Sequence, residues 1–220
     1  MNPQIGVGAL ALLGVALLHV LLSYWTREED AIQLAEVWRS YALKMGDRVW
    51  VPGRFSWLSF ATSQVHAKLE GSRNGVPFEV EITEWDPEMP SDKTTTYTCR
   101  PTWLPENSGL AITRGEPSSG WTFKTPAPAL RRHRLNVYVH PPELARVFHS
   151  PAADKLLADF AKLPADCEAQ GWRKDSLAKY QDGPSILFIH QDYWCDDSDQ
   201  LHAIIDVMTR LCSLKVSVTV

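Results

Sequence analysis

Catalytic signatures are what this sequence most lacks. Its 220 residues hold no GxSxG elbow, no Gly-rich loop ending in GK[ST], no HExxH and no GxGxxG outside the N-terminal run. Each of those spacings sets a nucleophile, a phosphate cradle or a pair of metal ligands on one turn, so enzyme classes built on them lose weight. Cysteine is scarce and widely spaced: Cys99, Cys167, Cys195 and Cys212, with no CxxC. An even count would allow two bridges outside the cytoplasm, but a domain this long buries enough core to do without staples, and four thiols are expected. Excess positive charge is missing too. Against 26 Asp and Glu stand 22 Lys and Arg, a net charge of −4, which excludes nucleic acid as the main partner. No repeat of fixed period and no low-complexity run interrupts the chain.

Charge is absent altogether from the first 26 positions. Within them Ile5 to Trp25 is an uncharged run of 21 residues, and a helix of that length, at about 1.5 Å per residue, spans the hydrocarbon layer. No Lys or Arg precedes Ile5, and bulky Tyr24 and Trp25 follow, so an uncleaved anchor is expected rather than a signal peptide. Both rings suit the interfacial belt. His19 lies about 9 Å of helix from Trp25 and reads as a neutral imidazole near the boundary. Arg27, Arg39 and Lys44 follow the run, and the positive-inside rule then predicts a single-pass protein with its domain in the cytoplasm rather than the periplasm. The organisation expected is an anchor over residues 1–26 and one soluble domain over 27–220.

That domain reads as α+β. Thr26 and Glu29 form a capping box, and Leu34, Val37, Trp38, Tyr41 and Met45 give one apolar stripe ending at Gly46. From Ser63 to Thr113 the period changes to two. Val65 to Leu69 and Phe78 to Ile82 form a hairpin around Gly71 to Gly75, followed by strands at Thr94 to Arg100 and Leu110 to Arg114. Residues 115–133 read as a long exposed loop, with a strand near Trp121 to Lys124. Leu135, Val137 and Val139 alternate as a strand. A short helix follows at Glu143 to Phe148, then a second capped by Ser150 with Pro151 in its first turn. Ser176 to Tyr180 and Ser185 to His190 read as a second hairpin, and the last helix starts near Ser198. Short links imply antiparallel pairing, with the helices mainly on one face of the sheet.

Interaction residues are sought among aromatics and clustered charge. Nine Trp are present; those at strand ends and in loops serve either as lids on the core or as contact surface, and Trp103 and Trp121 in Pro-rich segments are the surface candidates. Arg131, Arg132, His133 and Arg134 form the one basic cluster, either a solvated strand start or, with the domain in the cytoplasm, a contact for anionic lipid headgroups at roughly 1 kcal/mol per charge. The acidic stretch from Glu79 to Glu88 marks a wet strand face that could receive a basic partner. The densest donor patch is His190, Asp192, Cys195, Asp196, Asp197 and Asp199. It mixes hard and soft ligands at spacings that fit no familiar zinc or calcium loop, so no metal and no cofactor is expected.

The anchor-then-helix opening, the strand-rich middle and the ending LAKYQDGPSILFIHQD before a Leu- and Ile-bearing helix resemble poorly characterised bacterial single-span membrane-anchored α+β proteins. That resemblance implies no active residues. The element order is also similar to the secretion-chaperone fold, which implies a protein segment as ligand, although the extra strands depart from it. The function expected is a non-enzymatic protein-interaction or accessory module of an envelope complex. Alternatives are a ligand-binding or sensing domain, or an enzyme using some of His140, His149, His190 and Asp192.

Overall fold

A computed structural model describes residues 14, 15, 18, 33–50, 67–84, 93–105, 108–116, 128–172 and 186–214. The elements run α1 (residues 33–45), β1 (Arg48–Trp50), β2 (Ala67–Arg73), β3 (Val76–Glu84), β4 (Lys93–Cys99), β5 (Gly109–Thr113), β6 (Leu130–Arg132) and β7 (Leu135–His140). A 3-10 helix (Pro142–His149), α2 (Pro151–Phe160), β8 (Glu168–Trp172), β9 (Ile186–Gln191) and α3 (Ser198–Cys212) complete them. Among the described residues all nine strands form one sheet in the order β1-β2-β3-β4-β9-β8-β5-β7-β6. Every pairing is antiparallel.

One row of register partners crosses the whole sheet: Val49, Leu69, Val80, Tyr97, Ile189, Ala169, Ile112, Val137 and Leu130. All are apolar or aromatic, and all but the two edge residues are fully buried. Because side chains alternate between faces, this row fixes which face of every strand meets the helices. Against it α3 packs over β2, β3, β4 and β9, α2 packs on α3 and β6, and the 3-10 helix lies on β7. Leu34 and Trp38 of α1 enter the same core. The opposite face is wet over β2 and β3, where Lys68 bridges Glu70 at 2.7 Å and Glu79 at 2.9 Å. Over β5, β7 and β8 it is buried at Ala111, Tyr138 and Gln170.

Local signals explain the helix ends. Gly46 stops α1 with φ 72°, a left-handed conformation that costs glycine nothing. The Ser150 hydroxyl accepts from the Ala153 N–H at 3.1 Å with Pro151 in the first turn of α2, as the sequence predicts. At α3 the cap is Asp197, whose carboxylate accepts from the N–H groups of Asp199 and Gln200.

Four expectations change or fall elsewhere. Among the described residues no helix is long and apolar enough to cross a membrane. Of the run Ile5 to Trp25 they include only Gly14, Val15 and Leu18, which are helical, with Val15 and Leu18 exposed; the expected span otherwise lies outside them, as do Trp121 and the strands expected at 121–124 and 176–180. The expected loop over 115–133 is corrected at its end, because Leu130–Arg132 is strand β6, paired with Leu135 to Val137. Leu130 turns toward the core and Arg131 away from it, an alternation that the run of arginines hides. The described partners of β9 are β4, with Thr95 opposite Gln191, and β8, with Glu168 opposite His190 and Trp172 opposite Ile186. Finally, Cys99 and Cys212 are joined as a disulfide, and only Cys167 and Cys195 are buried thiols.

Candidate interaction surface

Trp103 is not a surface residue. It is 7% exposed, its indole N–H donates to the Leu211 carbonyl at 2.7 Å, and it meets Phe148 edge-on at a centroid distance of 5.9 Å. The last carbonyls of a helix have no partner within it, and Trp103 satisfies one of those at the end of α3. The side chain is therefore a lid on the core, and the surface expectation is corrected.

Arg131, Arg132, His133 and Arg134 stand together at the β6–β7 hairpin. Arg132 pairs with Leu135, so His133 and Arg134 alone make the turn, at φ 52° and 64°. The β2–β3 hairpin is closed the same way, with Arg73 opposite Val76 and a turn of Asn74 and Gly75 at φ 53° and 79°. Two-residue hairpins with both φ positive favour Asn-Gly because the left-handed region penalises an ordinary Cβ by about 1–2 kcal/mol. One turn thus uses the least strained pair available, and the other holds two bulky side chains, an imidazole and a guanidinium, in the same conformation.

Asp154 in the first turn of α2 secures the second turn. Its Oδ1 accepts from Arg132 at 2.9 Å and lies 3.2 Å from His133 Nε2. The Arg132 guanidinium, and after it the His133 ring, hold the Asp154 carboxyl below the usual carboxylate range. Arg131 and Arg134 are exposed, and among the described residues neither side chain makes a hydrogen bond or an ion pair.

The sheet has two ends, and the turns lie at opposite ones. Trp38 of α1 reaches Cys195, just beyond the end of β9, while Asp47 after α1 meets Arg73 beside the Asn74–Gly75 turn. Helix α1 therefore begins at the end that carries His133 and Arg134. Between β9 and β6 lie four strand spacings, about 19 Å. The same end presents Tyr193, 36% exposed, and Asp166, Asp192 and Asp196 on the β8, β9 and α3 side.

The other titratable candidates do not come together. His190 lies 3.5 Å from Asp192, both exposed. His140 sits three strands away from His190 and four residues further along the sheet, about 20 Å apart. His149 belongs to the 3-10 helix. Among the described residues no three His, Cys, Asp or Glu side chains are grouped so as to hold a metal ion. Cys195 and Cys167 are raised by burial to about 11 and about 12, away from the thiolate that a nucleophile or soft ligand requires.

The architecture defines the chain as an α+β protein with a large antiparallel sheet and helices on one face. It is similar to the crystal structure of the mycobacterial trehalose monomycolate transport factor A, TtfA, at 9% identity and a TM-score of 0.49, covering 82% of this chain and 93% of that one. No protein-family model and no curated protein matches the chain.

Proposed function

We propose that the chain is a single-pass membrane protein whose α+β domain is a protein-interaction or accessory module of an envelope complex, held against the bilayer and without chemistry of its own. One observation carries this reading: α1 is built into the domain core immediately after the uncharged run. Only residues 26–32 separate Trp25 from the described start of α1, and seven residues reach at most about 25 Å when extended. Leu34 and Trp38 are 2% and 0% exposed, so a bilayer holding the run also holds one end of the sheet close by.

The disulfide bears on orientation. Flanking charge predicts a cytoplasmic domain, but disulfides persist in oxidising compartments and are rare in the cytosol. The Cys99–Cys212 bridge supports the opposite side, and the proposal places the domain outside the cytoplasm. Arg39 and Lys44, which favour the reverse, are exposed residues of a folded helix.

The test is expression of the full chain with a reporter after Val220, followed by carbonate extraction and mild-detergent purification. A carbonate-resistant chain, an exported reporter and a stoichiometric protein partner are expected. A chain released by carbonate sinks the anchor, and a partner-free monomer after crosslinking in intact membranes sinks the accessory role.

A further inference from the structure

We propose that the β6–β7 turn is a lipid-contact tip, in which Arg131 and Arg134 engage anionic headgroups of the bilayer that holds the Ile5–Trp25 run; this rests on the anchored reading above. The turn lies at the end of the sheet where α1 begins, so the linker that keeps α1 near the bilayer brings the turn to the same side.

His133 and Arg134 adopt the left-handed conformation that Asn74 and Gly75 supply at the far end of the sheet. Residues held in an unfavourable conformation point to a demand other than folding. Here what the turn gains over Asn-Gly is the Arg134 guanidinium at its tip and a His133 ring that reaches Asp154.

The four basic side chains divide into two pairs. Arg132 and His133 tie the tip to Asp154 and α2, while Arg131 and Arg134 are exposed and have no partner among the described residues. A planar guanidinium matches the oxygens of a phosphate by paired hydrogen bonds. Asp154 is the acidic group at the turn and is taken up by Arg132 and His133; of the others at this end, Glu116 follows β5, two strands from β6, and Asp166 and Asp192 flank β8 and β9, three and four strands away. The end is polarised, with the turn as its basic side.

The experiment reconstitutes the full chain into vesicles of phosphatidylcholine alone or mixed with phosphatidylglycerol, and follows amide hydrogen exchange at residues 130–135. The Asn74–Gly75 turn is the internal reference. Exchange at the β6–β7 turn is expected to slow by roughly 5- to 30-fold in the anionic vesicles, the worth of one to two charges at the surface. High salt removes the effect. Arg131→Gln with Arg134→Gln abolishes it. His133→Asn with Arg134→Gly restores the favoured turn and is expected to raise Tm while losing most of the protection, which separates folding from contact.

Equal exchange in both vesicle types overturns the proposal. Protection by inorganic phosphate in neutral vesicles assigns the site to free phosphate and overturns the lipid source. Protection found only in native membranes, and removed with their proteins, assigns the tip to an acidic protein surface instead. Should carbonate release the chain from every vesicle, the anchored reading fails and this inference goes with it; a chain that stays inserted with an indifferent turn defeats the lipid contact alone.

Discussion

The indole N–H of Trp38 donates to the main-chain carbonyl of Cys195 at 2.8 Å, joining α1 to the loop before α3 across 157 residues of sequence. Both partners are fully buried, so the bond holds α1 to the loop that leads into α3. Trp38→Phe keeps most of the apolar volume and orphans the carbonyl; it is expected to lower stability by about 1–3 kcal/mol. Trp38→Ala adds a cavity and is expected to cost about 3–5 kcal/mol. Urea unfolding checks both, and equal stability of all three chains would show that α1 is not part of the cooperative core.

Asp47 and Arg73 make the second tie of α1, this time to the far end of β2. Arg73 Nη1 donates to Asp47 Oδ1 at 2.8 Å, Nη2 donates to Oδ2 and, at 3.2 Å, to the Tyr41 hydroxyl, and the guanidinium stacks 5.1 Å from the Phe78 ring centroid. The Asp47 side chain is 2% exposed. Removing one partner strands a buried charge, so Arg73→Met is expected to cost about 3–5 kcal/mol, and Arg73→Met with Asp47→Leu distinctly less. The double-mutant cycle measures it. Strict additivity of the two would refute a direct coupling. Gly71 is required beside the pair, because a Cβ there would collide with the Asp47 carboxylate.

Periodicity made some of this architecture readable and left other parts hidden, for physical reasons. The β2–β3 hairpin and α3 announce themselves because each has one apolar and one wet face, with periods of two and 3.6. Strand β8 does not: Glu168, Ala169, Gln170, Gly171 and Trp172 place only a methyl and a hydrogen on the crowded helix face, and Gln170 is buried on the other. Strand β6 was hidden by its arginines. The fate of Trp103 depended on a helix end 108 residues away, and the Cys99–Cys212 bridge on a separation of 113; neither leaves a local trace. The basic cluster itself was legible, whereas its strained turn and the end of the sheet it occupies required the register.

Two thiols and one bridge should separate cleanly by alkylation. Cys167 and Cys195 are buried, and burial, with Asp166 adding to it at Cys167, pushes them up to about 12 and about 11. Iodoacetamide at about pH 8 is expected to leave the native chain unmodified and to mark two cysteines after denaturation. Reduction then exposes Cys99 and Cys212 and is expected to lower stability by about 2–5 kcal/mol. Alkylation of all four in denatured, unreduced protein taken from intact cells would argue against both the bridge and the oxidising compartment.

Acid should loosen the contact between α2 and α3. Asp159 accepts from Lys162 at 2.9 Å and from Arg210 at 3.0 Å, and these partners, Lys162 first, hold its carboxyl below the ordinary 3.8. A carboxylate depressed in the folded state contributes stability that is complete above its unfolded value and lost as pH falls through the folded one. Stability is therefore expected to hold at about pH 6 and to fall below about pH 4. Asp159→Asn should lower the plateau and flatten that fall. An unchanged slope would remove Asp159 from the acid response and leave it to Asp154 and Glu70, whose carboxyls are lowered in the same direction.

Arg114 holds the turn from α2 into β8. Its Nη1 donates to the carbonyls of Pro164 and Ala165, each at 2.9 Å, and its Nη2 to those of Leu163 at 2.7 Å and Ala161 at 3.3 Å. These carbonyls belong to the cap of α2 and the turn just beyond it, outside the helix ladder, and a cation there also meets the negative end of the helix dipole. The guanidinium fork serves them together, which a single ammonium cannot reproduce. Arg114→Ala is expected to cost about 2–3 kcal/mol, and Arg114→Lys to recover only part of it. Hydrogen exchange should speed up at residues 161–167 and in β8 before it does in β2 and β3, since the lost contacts are confined to that corner. Full recovery by lysine would show that the charge alone, and not the fork, holds the turn.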